Sequence, residues 1–287
     1  MKTVHTVSDL REAVDAYRQQ GKRIALVPTM GNLHAGHLAL VHDARQRADI
    51  VITSIFVNPL QFGPNEDLDS YPRTLAEDQE KLADAGNDLV FAPSAREVYP
   101  NGIEYHTHVT VPVITELHCG ASRPGHFTGV ATVVAILFNM VRPDLAIFGQ
   151  KDFQQLAVIQ KLTRDLCLPI EIIGMPTFRE SDGLAMSSRN NYLTESERRK
   201  AIRLYEMLCE TAERINEGRR DFSSLSDEAI RTLDQEGFHP DYFNIVNSDS
   251  LEPAEYDDHR ITILGAAWLG RTRLIDNVSL RLDPETD

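Results

Sequence analysis

Hydrophobic positions in the first two-thirds of the chain fall into short continuous runs separated by amphipathic stretches. Ile24–Pro28, Ile50–Val57, Leu89–Ala92, Leu145–Phe148 and Ile170–Met175 read as strands, and the continuous apolar run Ile50–Val57 as one buried on both faces. Ser8–Gln20 puts Leu10, Val14 and Tyr17 on one helical face, with Ser8 as cap and Gly21 as terminator. His37–Ala48 turns Leu38 and Val41 inward as a second helix, and Thr74–Ala85 opens with Thr74 and Glu77 at capping-box spacing. Phe127–Met140 is a mostly apolar helix, and Asp152–Leu166 an amphipathic one that Asp152 can cap. This alternation predicts an α/β fold, a Rossmann-like parallel sheet with helices on both faces.

Beyond about Met175 the pattern changes. Thr194–Arg214 and Phe222–Glu236 read as charged amphipathic helices, and Asp241–Asn247, Arg260–Ala267 and Arg273–Leu280 as strands. Two helices and three strands predict a smaller C-terminal α+β domain. The expected division is residues 1–176 and 177–287, with the joint near Pro176–Ser187.

Composition narrows the class. The 287 residues are 42% hydrophobic and 25% charged, which excludes disorder as the main state. The longest apolar stretch, Gly129–Val141, falls short of the ~20 residues that cross a bilayer. The start, MKTVHTVSDLREAV, lacks the apolar core of a secretory signal. A net charge of −14 argues against broad nucleic-acid binding. The three cysteines, Cys119, Cys167 and Cys209, lie far apart and form no CxxC pair, as expected of free thiols in a reducing cytoplasm.

In a doubly wound sheet, ligands bind where strands run into the following helices. The first such junction reads Val27-Pro-Thr-Met-Gly-Asn-Leu-His-Ala-Gly-His37. Gly31 and Gly36 let the backbone approach a ligand, and His34 and His37 stand at a helix start. Free N–H groups, the positive end of the helix dipole and two imidazoles suit phosphate oxygens that gain negative charge. The Walker pattern and GxGxxG are both absent. A second junction, Gly149-Gln-Lys-Asp152, puts Lys151 at the carboxyl edge of a strand. The polar loop Met186-Ser-Ser-Arg189 adds two hydroxyls and a guanidinium. Gln61 and Gln155 carry amides that suit a ligand with hydroxyls and a carboxylate, and Asn58 follows another strand.

PTMGNLHAGH, SIFVNPLQFGPNEDLDSYPRT, RPGHFTGVATVV, FGQKDFQQL and SDGLAMSSRN together resemble the pantothenate synthetase (pantoate–β-alanine ligase) family. The likeness runs in order from about residue 1 to 280, and the HxGH loop alone marks the wider nucleotidyltransferase superfamily. The resemblance implies ATP-dependent condensation of pantoate with β-alanine through a pantoyl-adenylate, releasing pyrophosphate and AMP. It implies an ATP- and pantoate-binding domain over 1–176 and a lid over 177–287.

By the same resemblance ATP contacts fall on Met30, Gly31, Asn32, Leu33, His34, Ala35, Gly36, His37, Gly149, Gln150, Lys151, Asp152, Phe178, Met186, Ser187, Ser188 and Arg189. His34, His37, Lys151 and Arg189 take the catalytic roles. Gln61 meets pantoate and β-alanine, and Gln155 meets pantoate. Many relatives carry Glu where this chain has Gln150. Mg2+, a homodimer and a cytoplasmic setting are further implications.

Asp67, Glu77 and Asp78 are candidate Mg2+ partners, among which the sequence does not choose. Tyr71–Arg73 and Arg123–His126 read as loops over the site, and His106 and His108 alternate on an expected strand. A simple nucleotidyltransferase, a class I tRNA synthetase and a nucleotide-binding regulator are the competing readings.

Overall fold

The structure is a computed structural model that describes residues 1–64, 66 and 68–282. The first part of the chain runs β1 (Lys2–Val4), α1 (Val7–Gln19), β2 (Ile24–Thr29), α2 (Ala35–Arg47), β3 (Ile50–Ile55), α3 (Leu75–Asp84), β4 (Leu89–Phe91) and α4 (Ala95–Val98). It continues through α5 (Cys119–Ser122), α6 (His126–Val141), β5 (Leu145–Gly149), α7 (Phe153–Asp165) and β6 (Glu171–Met175). The six strands form one parallel sheet in the order β1-β4-β3-β2-β5-β6. From β2 the chain steps outward to β3 and β4, then returns to the other side of β2 for β5 and β6. Right-handed crossovers therefore put α2 and α3 on one face and α1, α6 and α7 on the other. The contacts of α2 with α3 and of α1 with α6 agree with this.

Local causes are visible in each element. Thr6, not Ser8, caps α1: its Oγ1 accepts the Asp9 N–H at 3.1 Å, so the helix starts earlier than expected. Leu10 and Val14, one turn apart, are fully buried, each worth about 1.5–3 kcal/mol of transfer free energy. The expected capping box at Thr74 does not form, because the Thr74 hydroxyl donates to Asp78 instead. Asp152 ends a short 3-10 turn, Gln150–Asp152, that runs directly into α7. α6 is apolar nearly all round because both sides are packed.

The chain forms two units. One comprises Met1–Thr115, Arg123–Gln150 and Gln155–Pro176, and the other Glu116–Ser122, Lys151–Gln154 and Thr177–Asp287. The second unit adds α8 (Glu195–Lys200), α9 (Arg203–Asn216), α10 (Phe222–Gln235), β7 (His239–Asn247), β8 (Arg260–Leu269) and β9 (Thr272–Arg281). The strands make an antiparallel meander, β7-β8-β9, with α9 and α10 packed on it through Leu208, Ile215, Leu225, Leu233, Phe243 and Ile263. The helix expected over Thr194–Arg214 is interrupted at Ala201–Ile202, and a true capping box starts its first half: the Glu197 N–H reaches Thr194 Oγ1, and Glu197 Oε2 accepts the Thr194 N–H at 2.8 Å. Among the described residues no helix is long and apolar enough to cross a membrane.

Candidate active site

The switch point of the sheet lies at β2, whose neighbours β3 and β5 leave in opposite directions. The loop after β2 is built residue by residue. Thr29 Oγ1 donates to the Ser54 carbonyl at 2.8 Å and accepts the Gly31 N–H. Gly31 takes φ +83°, and a Cβ there would press within 3.0 Å of Ile55 and 3.2 Å of the Asp78 carboxylate. Asn32 also has positive φ, an uncommon conformation in which Asn is favoured.

The Asp78 carboxylate, fully buried at the start of α3, accepts the Asn32 N–H at 2.9 Å and the Leu33 N–H at 2.8 Å. Lys81, one turn on, donates to the Leu33 carbonyl at 2.8 Å. Helix α3 therefore holds the loop from below.

His34 leaves this clamp in an extended conformation and starts α2. Its N–H points to His37 Nδ1 at 3.4 Å, and the two rings lie with centroids 4.1 Å apart. Nδ1 of His37 is thereby an acceptor, so the proton of its neutral ring sits on Nε2. No acidic residue lies in the first turn of α2. The His37 N–H bonds the His34 carbonyl at 2.9 Å, while the N–H groups of Ala35 and Gly36 come before any helical carbonyl one turn back; with the helix dipole they make this end electropositive.

After β3, Asn58 starts the short turn Pro59–Gln61. Asn58 is buried, and its amide is fully engaged. Its Oδ1 accepts from Tyr99 Oη at 2.7 Å and from the Leu60 N–H, and its Nδ2 donates to the Gly129 carbonyl and to Gln61 Oε1. Burial pushes the Tyr99 phenol up, so it stays a donor. Asn58, expected beside a substrate, is thus bonded directly to the Gln61 side chain.

The Gln61 amide donates onward to Met30 Sδ at 3.3 Å. The Gln61 carbonyl accepts from His126 Nδ1 at 2.7 Å, and Arg123 bridges His126 Nε2 at 3.0 Å to the Glu66 carboxylate at 2.5 and 2.7 Å. Burial pushes the Glu66 carboxyl up, but the Arg123 donors and charge outweigh it and hold it below the ordinary carboxylate value. Helix α6 comes so close here that a Cβ on Gly129 would sit 2.4 Å from the Leu60 carbonyl oxygen. Gln155, half-buried on α7, completes the residues expected to meet pantoate.

Gly149 ends β5, and the Gln150 amide donates to the Gly174 carbonyl at 3.2 Å. That neutral amide suits a carbonyl partner, which a Glu carboxylate at this position would repel.

Within the second unit, Lys151 lines a small cavity with Ser187, Asn190, Tyr205 and Asp276. The loop before Ser187 is a stub of hairpin: the Met186 N–H bonds the Phe178 carbonyl at 3.0 Å, Arg179 pairs with Ala185, and Gly183 turns at φ +98°. Phe178 is 44% exposed, so its backbone stands at the surface of this hairpin. Ser187 Oγ accepts the Arg189 N–H and starts the turn Ser188–Tyr192, so Ser188 and Arg189 sit half-buried on ordered backbone.

Several expectations are corrected. Of the candidate cation partners, Asp78 accepts protein donors at both carboxylate oxygens, and Glu77 is exposed. Asp67 lies outside the described residues. Among the described residues no three His, Cys, Asp or Glu side chains are grouped to hold a metal. His106 and His108 lie on no strand; His106 follows a short 3-10 turn and packs edge-on against Tyr99. The clamp by Asp78 and the close approach at Gly129 carry no local signal, because their partners are 45 or more residues away in sequence.

Comparison with known proteins agrees with this architecture. Residues 2–279 match the family model for pantoate-beta-alanine ligase. The pantothenate synthetase of Marinobacter nauticus is 62% identical over 98% of this chain and 99% of its own length, and that of Hahella chejuensis 64% over 98% and 100%. The pantothenate synthetase structure from Thermus thermophilus superposes with a TM-score of 0.89 at 46% identity, covering 97% of this chain and 99% of that one. The pantoate-beta-alanine ligase from Francisella tularensis, complexed with beta-gamma ATP and beta-alanine, gives 0.80 at 34% identity and 97% of each chain. With its sheet order, its paired loop histidines and these likenesses over nearly its whole length, the chain belongs to the pantoate–β-alanine ligase family.

Proposed function

We infer that the protein is a ligase that joins pantoate to β-alanine with ATP as the driving substrate. The observation that carries the chemistry is the His34–His37 pair at the acid-free start of α2, with His37 Nδ1 occupied by a backbone N–H. Such a pair supports a role as hydrogen-bond donors to phosphate oxygens rather than as a base that takes a proton from a nucleophile.

A carboxylate does not condense with an amine at neutral pH unless it is activated. The pantoate carboxylate oxygen attacks the α-phosphorus of ATP and the bond to the β-phosphate oxygen breaks, giving pantoyl-adenylate and pyrophosphate. The β-alanine amine then attacks the adenylate carbonyl, AMP leaves with the C–O bond pair, and the amine loses a proton. Charge on the phosphate oxygens is met by His34, His37, Lys151 and Arg189, so catalysis rests on positioning and electrostatics.

Met30, Gly31, Asn32, Leu33, Ala35 and Gly36 offer backbone to the nucleotide, as do Gly149, Gln150 and Asp152. The Phe178 backbone approaches the adenine, Met186 contacts the nucleotide, and Ser187 and Ser188 meet the phosphates. Gln61 serves pantoate and β-alanine, with Asn58 and Met30 orienting its amide, and Gln155 serves pantoate; the free hydrogen-bonding capacity of such amides supports this. Because the described carboxylates offer no cage for it, Mg2+ arrives on the triphosphate, keeping water and phosphate oxygens as ligands.

The two-domain reading, 1–176 for catalysis and 177–287 as a lid that shields the adenylate from water, rests on the need to exclude hydrolysis. The protein works as a homodimer in the cytoplasm, as the family resemblance implies.

The test is pyrophosphate and AMP release from Mg-ATP and pantoate, with and without β-alanine. Pyrophosphate with pantoate alone, and sustained AMP only after β-alanine is added, is the expected result. Pyrophosphate only with a nucleotide acceptor would overturn it in favour of a simple nucleotidyltransferase.

A further inference from the structure

Lys151 is carried on a single 3-10 turn, an element too short to hold a side chain in place alone. Two amides of the second unit fasten that turn. At one end the Asn277 side chain, nearly buried on β9, donates from Nδ2 to the Lys151 carbonyl at 3.0 Å. At the other end Gln154 donates to the Leu117 carbonyl at 2.7 Å and accepts the Cys119 N–H at 3.0 Å.

The neighbouring residue on β9 serves the other loop. Asp276 accepts both terminal nitrogens of Arg179 at 2.6 and 3.0 Å, and Arg179 also donates to the Gly183 carbonyl and lies 3.5 Å over the Tyr205 ring. Asp276 Oδ1 further accepts the Asn277 N–H at 2.8 Å. Two consecutive residues of β9 thus tie down the Lys151 turn and the hairpin that leads into Met186–Arg189.

We propose that Asn277 is a positioning residue for adenylate formation: through its bond to the Lys151 carbonyl it sets where the Lys151 ammonium meets phosphate. The proposal rests on the phosphate role given to Lys151 above. Since Gln154 still holds the far end of the turn, loss of the Asn277 donor releases one end of it rather than unfolding it. A displacement of about 1 Å at a charge-stabilising group costs on the order of 10²-fold in rate.

The experiment measures pyrophosphate release, with kcat and KM for ATP, pantoate and β-alanine, in Asn277→Asp, Asn277→Ala, Lys151→Ala and the Lys151→Ala/Asn277→Asp double variant, together with thermal denaturation. Asn277→Asp keeps the size but sets an oxygen against the Lys151 carbonyl, whereas Asn277→Ala removes the donor without adding charge. Both single variants at Asn277 are expected to lose roughly 10- to 100-fold in kcat/KM for ATP. Their KM for pantoate and β-alanine should stay within about twofold, and Asn277→Asp should add less than about twofold on the Lys151→Ala background.

Wild-type ATP kinetics in both Asn277 variants would overturn the proposal, as would an undiminished effect of Asn277→Asp when Lys151 is already Ala. Wild-type ATP kinetics in Lys151→Ala would overturn the phosphate role of Lys151 itself, a failure distinguishable from the other two.

Discussion

Asp78 Oδ1 accepts the Leu33 N–H at 2.8 Å, so a carboxylate on α3 sets the backbone one residue ahead of His34. Its other oxygen takes the Asn32 N–H and the Thr74 hydroxyl. In Asp78→Asn one of these oxygens becomes an NH2 that faces a donor. A buried group left unsatisfied in this way costs about 1–3 kcal/mol. The expected outcome is a lowered denaturant midpoint together with at least roughly tenfold slower pyrophosphate release. Unchanged kinetics in a destabilised variant would separate the clamp from catalysis.

His37→Ala removes the Nε2–H while leaving the helix, since Ala is the best helix former. Adenylate formation should fall by at least roughly 10² with the circular dichroism spectrum unchanged. Turnover like that of the wild type would remove His37 from the mechanism.

Gln155→Ala deletes a half-buried amide from α7. The KM for pantoate is expected to rise several-fold while that for ATP moves little. Steady-state kinetics with each substrate varied in turn read this directly, and equal rises in both would argue against a pantoate contact there.

Gly129 admits no side chain, because a Cβ would stand 2.4 Å from the Leu60 carbonyl oxygen and 2.7 Å from the Gln61 nitrogen. Gly129→Ala must push the Pro59–Gln61 turn away from α6, and with it the Gln61 amide. Overpacking of this kind costs about 1–3 kcal/mol. Pantoate and β-alanine should bind more weakly, with ATP little affected; calorimetric titration of each ligand is the check.

His118 supplies a pH dependence. Its Nε2–H donates to the Leu251 carbonyl and its Nδ1 accepts from the Asn244 amide, both at 2.8 Å, which fixes the neutral ring. Burial lowers its pKa, and the bond to Leu251 opposes this without reversing it. The unfolded chain therefore binds more protons than the native one just below the ordinary histidine value of about 6.5. Stability must fall as pH drops through that window, levelling off once the native ring is also protonated. Urea midpoints at about pH 7.5 and about pH 5.5 should differ less in His118→Gln than in the wild type. An equal difference would dismiss the role.

What could be read from the sequence was local. The buried strands announce themselves as apolar runs, and α9 and α10 by their one-sided patterning, because each signal is contained in the element itself. The loops carrying His34, Lys151 and Ser187 are legible for the same reason: their chemistry is contiguous. β1 has only three residues, too few for any period to appear. Thr74 reads as a cap because spacing cannot show that Asp78 takes its hydroxyl. The contacts of Asp78 with Leu33, of Asn58 with Gly129 and of Asn277 with Lys151 span 45, 71 and 126 positions, and no pattern within a window records such a contact.

The chain crosses from one unit to the other at 115/116, 122/123, 150/151, 154/155 and 176/177. During synthesis the six-stranded sheet has all its residues once Met175 has left the ribosome, yet one of the two anchors of the Lys151 turn is made by Asn277, ten residues from the last. A chain released early therefore carries a finished sheet whose Lys151 turn is fastened at only one of its two ends.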